Sequence, residues 1–181
     1  MILVVDMNWR KSSIAYEEFV EPVTSAVQPP EDFEVKHFSE VAKHDLESCG
    51  KVIFSGTALK DHETLKQIVK FNWIKTFDKP MLGICAGMQT ISLVFEEPLT
   101  RCLRIGMIEI TTTKENPLFQ SVFKAYALHN FSVAPGKHFE VLAQSGKCIQ
   151  AIKHKQKEIY GVLFHPEVRN QEIIRNFVKL K

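Results

Sequence analysis

The chain has 181 residues, 45% apolar and 24% charged, with a formal net charge of +2. That length suits one compact domain with a sizeable core, and the composition excludes a disordered or membrane-embedded chain. The near-neutral balance also argues against a nucleic-acid footprint: the densest basic cluster, Lys153-His154-Lys155-Gln156-Lys157, lies between two apolar runs and reads as a solvated hairpin tip.

No Pro-, Gly- or Ser-rich linker divides the chain, so residues 1–181 read as a single domain. Cys49, Cys85, Cys102 and Cys148 are far apart and form no C-x-x-C pair. They predict reduced thiols, with neither a metal site nor a disulfide framework. The chain opens directly on a strand-like run, and no uncharged apolar stretch reaches the ~18 residues of a membrane span. The expectation is a cytoplasmic protein with no membrane anchor.

Ile2 to Val5 is a β-branched run ending at Asp6, the pattern of a strand buried on both faces of a parallel sheet. Ser12 or Ser13 is positioned to cap a helix through Ile14, Tyr16, Phe19 and Val20 that stops before Pro22, and Pro29-Pro30 bars further helix. Phe33 to Phe38 alternates as an edge strand would, followed by a short helix containing Val41 and Leu46. Lys51 to Phe54 forms a third strand leading into Ser55-Gly56-Thr57. From Asp61, Leu65, Ile68, Val69 and Trp73 recur at helical spacing. Residues 81 to 84 form the next strand. This alternation predicts a doubly wound, mostly parallel central sheet with flanking helices.

Beyond residue 100 the pattern changes to strands and turns, a smaller antiparallel β region in the C-terminal half. Leu103 to Thr113, Ala125 to Val133, Phe139 to Ala143, Cys148 to Ile152 and Ile159 to Phe164 read as strands, separated by Asn116-Pro117, Pro135-Gly136, Ser145-Gly146 and the lysine-rich tip. A helix over Gln171 to Leu180 gathers Ile173, Ile174, Phe177 and Val178 on one face.

Two stretches carry chemistry. Gly83-Ile84-Cys85-Ala86-Gly87 joins a strand to a helix through a very tight turn, the thiol form of a nucleophile elbow. The following helix aims unpaired N–H groups and its positive dipole end at the sulfur, which favours the thiolate. A thiol nucleophile needs a base, and the base needs a group that fixes its tautomer. His165-Pro166-Glu167 supplies both at the end of a buried strand. In an extended segment, i and i+2 side chains share one side at about 6.5 Å spacing, so Glu167 is placed to reach the His165 ring.

Together, Pro80-Met81-Leu82-Gly83-Ile84-Cys85-Ala86-Gly87-Met88-Gln89 and Tyr160-Gly161-Val162-Leu163-Phe164-His165-Pro166-Glu167 resemble the motifs of the class I (triad) glutamine amidotransferase family. The similarity covers almost the whole chain. It implies that Cys85 is the nucleophile attacking the side-chain amide of glutamine, His165 the acid/base and Glu167 its orienting partner. The products would be glutamate and ammonia, by way of a γ-glutamyl thioester, with no cofactor and no metal. The backbone N–H groups of Ala86 and Thr57 are the implied oxyanion hole. Gly56, Gln89, Asn130 and Phe131 are the implied substrate contacts, and His129 in that segment braces the loop.

Two departures from the family pattern stand out. Its Gly-Gly-Pro or Gly-Pro-Gly turn is here Ser55-Gly56-Thr57-Ala58-Leu59, and a β-branched residue at Thr57 resists positive φ. Met88 stands where many relatives carry histidine. Within the family, His165-Pro166-Glu167-Val168 and Ile173-Ile174-Arg175-Asn176-Phe177 most resemble the glutaminase subunits of split GMP synthases. That implies a separate synthase partner receiving the ammonia. Anthranilate synthase and histidine-pathway glutaminases, a γ-glutamyl peptide hydrolase, and a non-catalytic regulatory or binding domain with an incomplete oxyanion hole stay open as alternatives.

Overall fold

The computed structural model describes residues 1–27 and 31–181. The expected stop at Pro29-Pro30 lies outside the described residues. The first half builds parallel strands β1 (Ile2–Asp6), β2 (Phe33–His37), β3 (Lys51–Phe54) and β4 (Met81–Ile84). Helices α1 (Ile14–Phe19), α2 (Glu21–Val27), α3 (Lys43–Ser48), α4 (Glu63–Lys66) and α5 (Ala86–Val94) connect and follow them. The second half adds β5 (Leu99–Thr112), β6 (Val122–Val133), β7 (Phe139–Ser145), β8 (Cys148–His154) and β9 (Ile159–Val162), then α6 (Pro166–Arg169) and α7 (Gln171–Val178).

Among the described residues nine strands form one sheet in the order β2-β1-β3-β4-β9-β8-β7-β5-β6. Strands β2 through β9 in that order pair in parallel, and the antiparallel strands extend the same sheet. The α/β expectation is thus borne out, the antiparallel region being a continuation of the central sheet. Side-chain alternation along the parallel strands feeds two cores: Val4, Ile53 and Leu82 pack on one face, and Leu3, Val5, Val52 and Met81 on the other. This two-sided burial is why those strands read as unbroken apolar runs.

Three local expectations need correction. The helix from Ile14 does end before Pro22, at Phe19, but a second helix, α2, follows at once with Pro22 as its second residue; proline is tolerated in a first turn, where its missing N–H has no acceptor to lose. The helical spacing from Asp61 resolves into the short α4 and a 3-10 segment over Ile68–Lys75. The third concerns cysteines: Cys102 and Cys148 form a disulfide across 46 residues, with Cα atoms 6.2 Å apart. Spacing along the chain could not reveal it, because the contact arises only when the β5–β6 ribbon curls over β8. Cys102 lies in a β-bulge, where the β5–β6 register shifts between Arg101 and Arg104. Cys49 and Cys85 remain free and buried.

Candidate active site

The carboxyl ends of β3, β4 and β9 meet at one edge of the sheet, where open α/β folds place their sites. Strand β4 pairs directly with β9, Ile84 opposite Val162. The residues just beyond these two strands are therefore neighbours: Cys85 N–H donates to the Val162 carbonyl at 2.8 Å, and His165 stands three residues further along.

Cys85 has φ 48° and ψ −101°, a strained conformation for a residue with a side chain. Close packing enforces it. A Cβ built on Gly83 would fall 2.5 Å from the Gly87 carbonyl carbon, and one on Gly87 would fall 2.6 Å from Phe54 Cβ. Strand, elbow and helix backbones touch because both flanking positions lack side chains. Ala86 opens α5, so its N–H has no intrahelical acceptor and is available beside the sulfur.

His165 and Glu167 are buried, and His165 Nδ1 donates to Glu167 Oε1 at 2.7 Å. The route differs from the extended-segment expectation. His165 caps α6, with Pro166 in its first turn, and Glu167 reaches back from that turn. Burial by itself opposes a charged ring, but the Glu167 carboxylate, with the Cys85 sulfur, outweighs it and raises the His165 pKa well above its ordinary value. The second ring nitrogen, Nε2, has no hydrogen-bond partner among the described residues and is the ring atom left to exchange a proton.

Gly56 sits against this histidine. A Cβ there would lie 2.7 Å from His165 Cε1 and 3.1 Å from Nδ1. Its place is thus explained by close approach to the ring. The structure does not put Gly56 among the residues lining the cleft at Cys85. Thr57, Ala86, Gln89, Asn130 and Phe131 do line it. Thr57 is absent from the non-glycine positive-φ residues, Ser12, Cys85, Glu96 and Ser121, so its β-branch strains nothing here.

The cleft is shut by hydrogen bonds. Gln89 Nε2 donates to the Phe131 carbonyl at 2.9 Å, and Asn130 Nδ2 to the Leu59 carbonyl at 3.0 Å. The Cys85 thiol lies 3.6 Å from the Leu128 carbonyl. About 20 Å³ remains open to a solvent-sized sphere, room for about one water.

Sequence reasoning missed Asp61, noted only as a helix start. Its Oδ2 accepts from the Thr57 hydroxyl at 2.7 Å and the Trp9 N–H at 2.7 Å, and its Oδ1 accepts from Glu63 N–H at 3.1 Å. It therefore braces the turn after β3. An aspartate four residues beyond a strand-end threonine was the available signal. His129 is fully enclosed: burial lowers its pKa to about 4, against the opposing Cys102 carbonyl contact, and it is neutral at pH 7. No helix among the described residues is long and apolar enough to cross a membrane.

Comparison with known proteins gives this geometry a family. Residues 21–180 match the model of glutamine amidotransferase class-I. The glutamine-hydrolyzing GMP synthase subunit of Methanosphaera stadtmanae is 38% identical over 142 residues, covering 72% of this chain and 74% of that protein. Its namesake from Methanocaldococcus jannaschii is 41% identical over 112 residues, 56% of this chain and 60% of that protein. Against this second relative the chain thus spans less than two thirds of the length. Among solved structures, a candidate GMP synthase subunit from Thermoplasma acidophilum superposes with a TM-score of 0.82 at 24% identity, covering 98% of this chain and 91% of the other. It supports the fold. The family match takes in all but residues 1–20 and 181, and the chain belongs to the class-I glutamine amidotransferase family.

Proposed function

We propose that this chain hydrolyses glutamine to glutamate and ammonia and delivers the ammonia to a separate synthase subunit, as its relatives' names imply for GMP synthase. The observation that carries this reading is the strained Cys85 elbow beside the buried His165–Glu167 pair, held at 2.7 Å.

In the proposed reaction, Cys85 Sγ attacks the side-chain carbonyl carbon of glutamine while its proton passes to His165 Nε2. The oxygen, now negative, is held by the Ala86 N–H and by the Thr57 N–H. His165 returns the proton to the amide nitrogen, the C–N bond breaks, and ammonia leaves a γ-glutamyl thioester on Cys85. Water then attacks the thioester with His165 as base, releasing glutamate and restoring the thiol. Glu167 orients the imidazole and stabilises its charged form throughout.

The shut cleft favours a chain that is slow alone and faster with its partner. Binding that separates Leu59 from Asn130 would admit glutamine and free the thiol from Leu128. Glutamate release is the test, measured for the wild-type chain and Cys85→Ala, each alone and with the synthase subunit. Cys85-dependent release that rises with the partner supports the reading; release indifferent to Cys85 refutes it.

A further inference from the structure

Next to the Cys85 cleft, whose lining includes His129, a second group of ligating side chains lies outside the proposed reaction. Cys102 on β5, His129 on β6 and Cys148 on β8 place Sγ, a ring nitrogen and Sγ all within 4.8 Å of one another. His129 and Cys148 are buried, and Cys102 is partly accessible. The two sulfurs are joined as a disulfide.

The histidine is already arranged as a ligand. Its Nδ1 lies 2.9 Å from the Cys102 carbonyl, which only accepts, so Nδ1 carries the proton and Nε2 the lone pair. A backbone carbonyl holding one imidazole nitrogen while the other faces the site is the usual support of a metal-bound histidine. Nε2 now accepts from Gln150 Nε2 at 3.2 Å, and the same amide nitrogen is 3.3 Å from Cys148 Sγ. Gln150 is fully buried, and its Oε1 has no partner among the described residues. A buried side chain with an unsatisfied oxygen thus borders the Cys148 sulfur and the imidazole. Two thiolates and one neutral imidazole form a donor set for a thiophilic, tetrahedral cation, Zn²⁺ above all.

We propose that the Cys102–Cys148 disulfide is the oxidised form of a metal site, and that its reduced form binds Zn²⁺ through Cys102, Cys148 and His129 Nε2. Opening the bond requires a reductant of the dithiol class: two electrons and two protons pass to the cystine, giving two thiols, and the dithiol becomes a disulfide. On binding, the cation displaces both thiol protons to solvent. The site would join the β5 bulge, β6 and β8 through a cation in place of a sulfur–sulfur bond, and the assignment does not depend on the glutaminase reading.

The test is a Co²⁺ titration of the whole chain, oxidised and after phosphine reduction, which consumes one water per disulfide and yields the phosphine oxide and two thiols. The reduced wild type is expected to take up one Co²⁺ with a near-ultraviolet thiolate-to-cobalt band, displaced by Zn²⁺; the oxidised chain is expected to show none. Cys148→Ser and Cys102→Ser should each abolish the band, His129→Gln should weaken binding at least tenfold, and Cys49→Ser should leave it intact. A second arm covers variants that fail to fold. In the reduced wild type, Zn²⁺ should slow alkylation of Cys102 and Cys148 at least tenfold, read by peptide mass, without protecting Cys49. A pair that cycles between disulfide and thiols with no cation uptake and no protection overturns the assignment, as does a band that survives Cys148→Ser in a folded chain.

Discussion

The Cys85 sulfur lies 3.6 Å from the Leu128 carbonyl, so β6 contacts the thiol that His165 is placed to deprotonate. The same strand clamps the opposite wall through Asn130 and receives the Gln89 amide through Phe131. Closure of the cleft and the β6 contact on the thiol are therefore one arrangement.

Loosening that arrangement should expose the thiol. Asn130→Ala removes the hydrogen bond to Leu59, worth about 1 kcal/mol, or roughly fivefold in the open population. Cys85 alkylation by a small neutral reagent is expected to accelerate by about that factor while the melting temperature changes little. An unchanged rate would place the barrier to entry elsewhere.

Gly56 tests the histidine's position. The side chain of Gly56→Ala would press on the His165 ring, and displacements up to ~1 Å at a reacting group cost up to about 100-fold. Overpacking at such a site costs about 1–3 kcal/mol. Turnover is expected to fall about 100-fold in a chain that still folds, as read by circular dichroism and glutamate release. Full activity would show that the ring adapts freely.

Glu167 tests the charge. Because the carboxylate is what raises the His165 pKa against burial, Glu167→Gln should move the histidine limb of the kcat/KM profile to lower pH. Turnover should drop about 10²- to 10⁴-fold. An unmoved pH limb would assign the limb to another group.

Stability should respond to acid through His129. Its folded pKa of about 4 lies below the ordinary ~6.5, so the unfolded chain binds the proton first. Its contribution is whole above about pH 6.5 and is lost as pH falls toward 4, about 3 kcal/mol in all. His165 has the opposite sign: its raised folded pKa stabilises below pH ~6.5 and fades as pH climbs through that raised value. Urea midpoints of wild type and His129→Gln from pH 7 to 4 compare them, and the variant's curve should be the flatter. Parallel curves would contradict the placement of His129.

The parallel half of the sheet and the elbow were legible because their signals are local. β1, β3 and β4 are apolar runs dictated by burial on both faces, and Gly83 and Gly87 mark a contact between adjacent elements. The His165–Glu167 pair was legible as chemistry, though its geometry came from a helical turn that Pro166 permits. What stayed hidden depends on curvature. The Cys102–Cys148 bond and the closure of Asn130 on Leu59 join strands and loops distant in sequence, and no periodicity reports how far a β-ribbon bends. Asp61 was hidden for a related reason: its partners Thr57 and Trp9 come from two different strand ends.

The most direct test traps the intermediate. With the synthase subunit present, acid quenching during turnover of labelled glutamine should leave a γ-glutamyl group on the peptide containing Cys85, and none on that peptide from Cys85→Ala. Glutamate formed at an undiminished rate by Cys85→Ala, with no adduct on the wild-type peptide, would contradict the account.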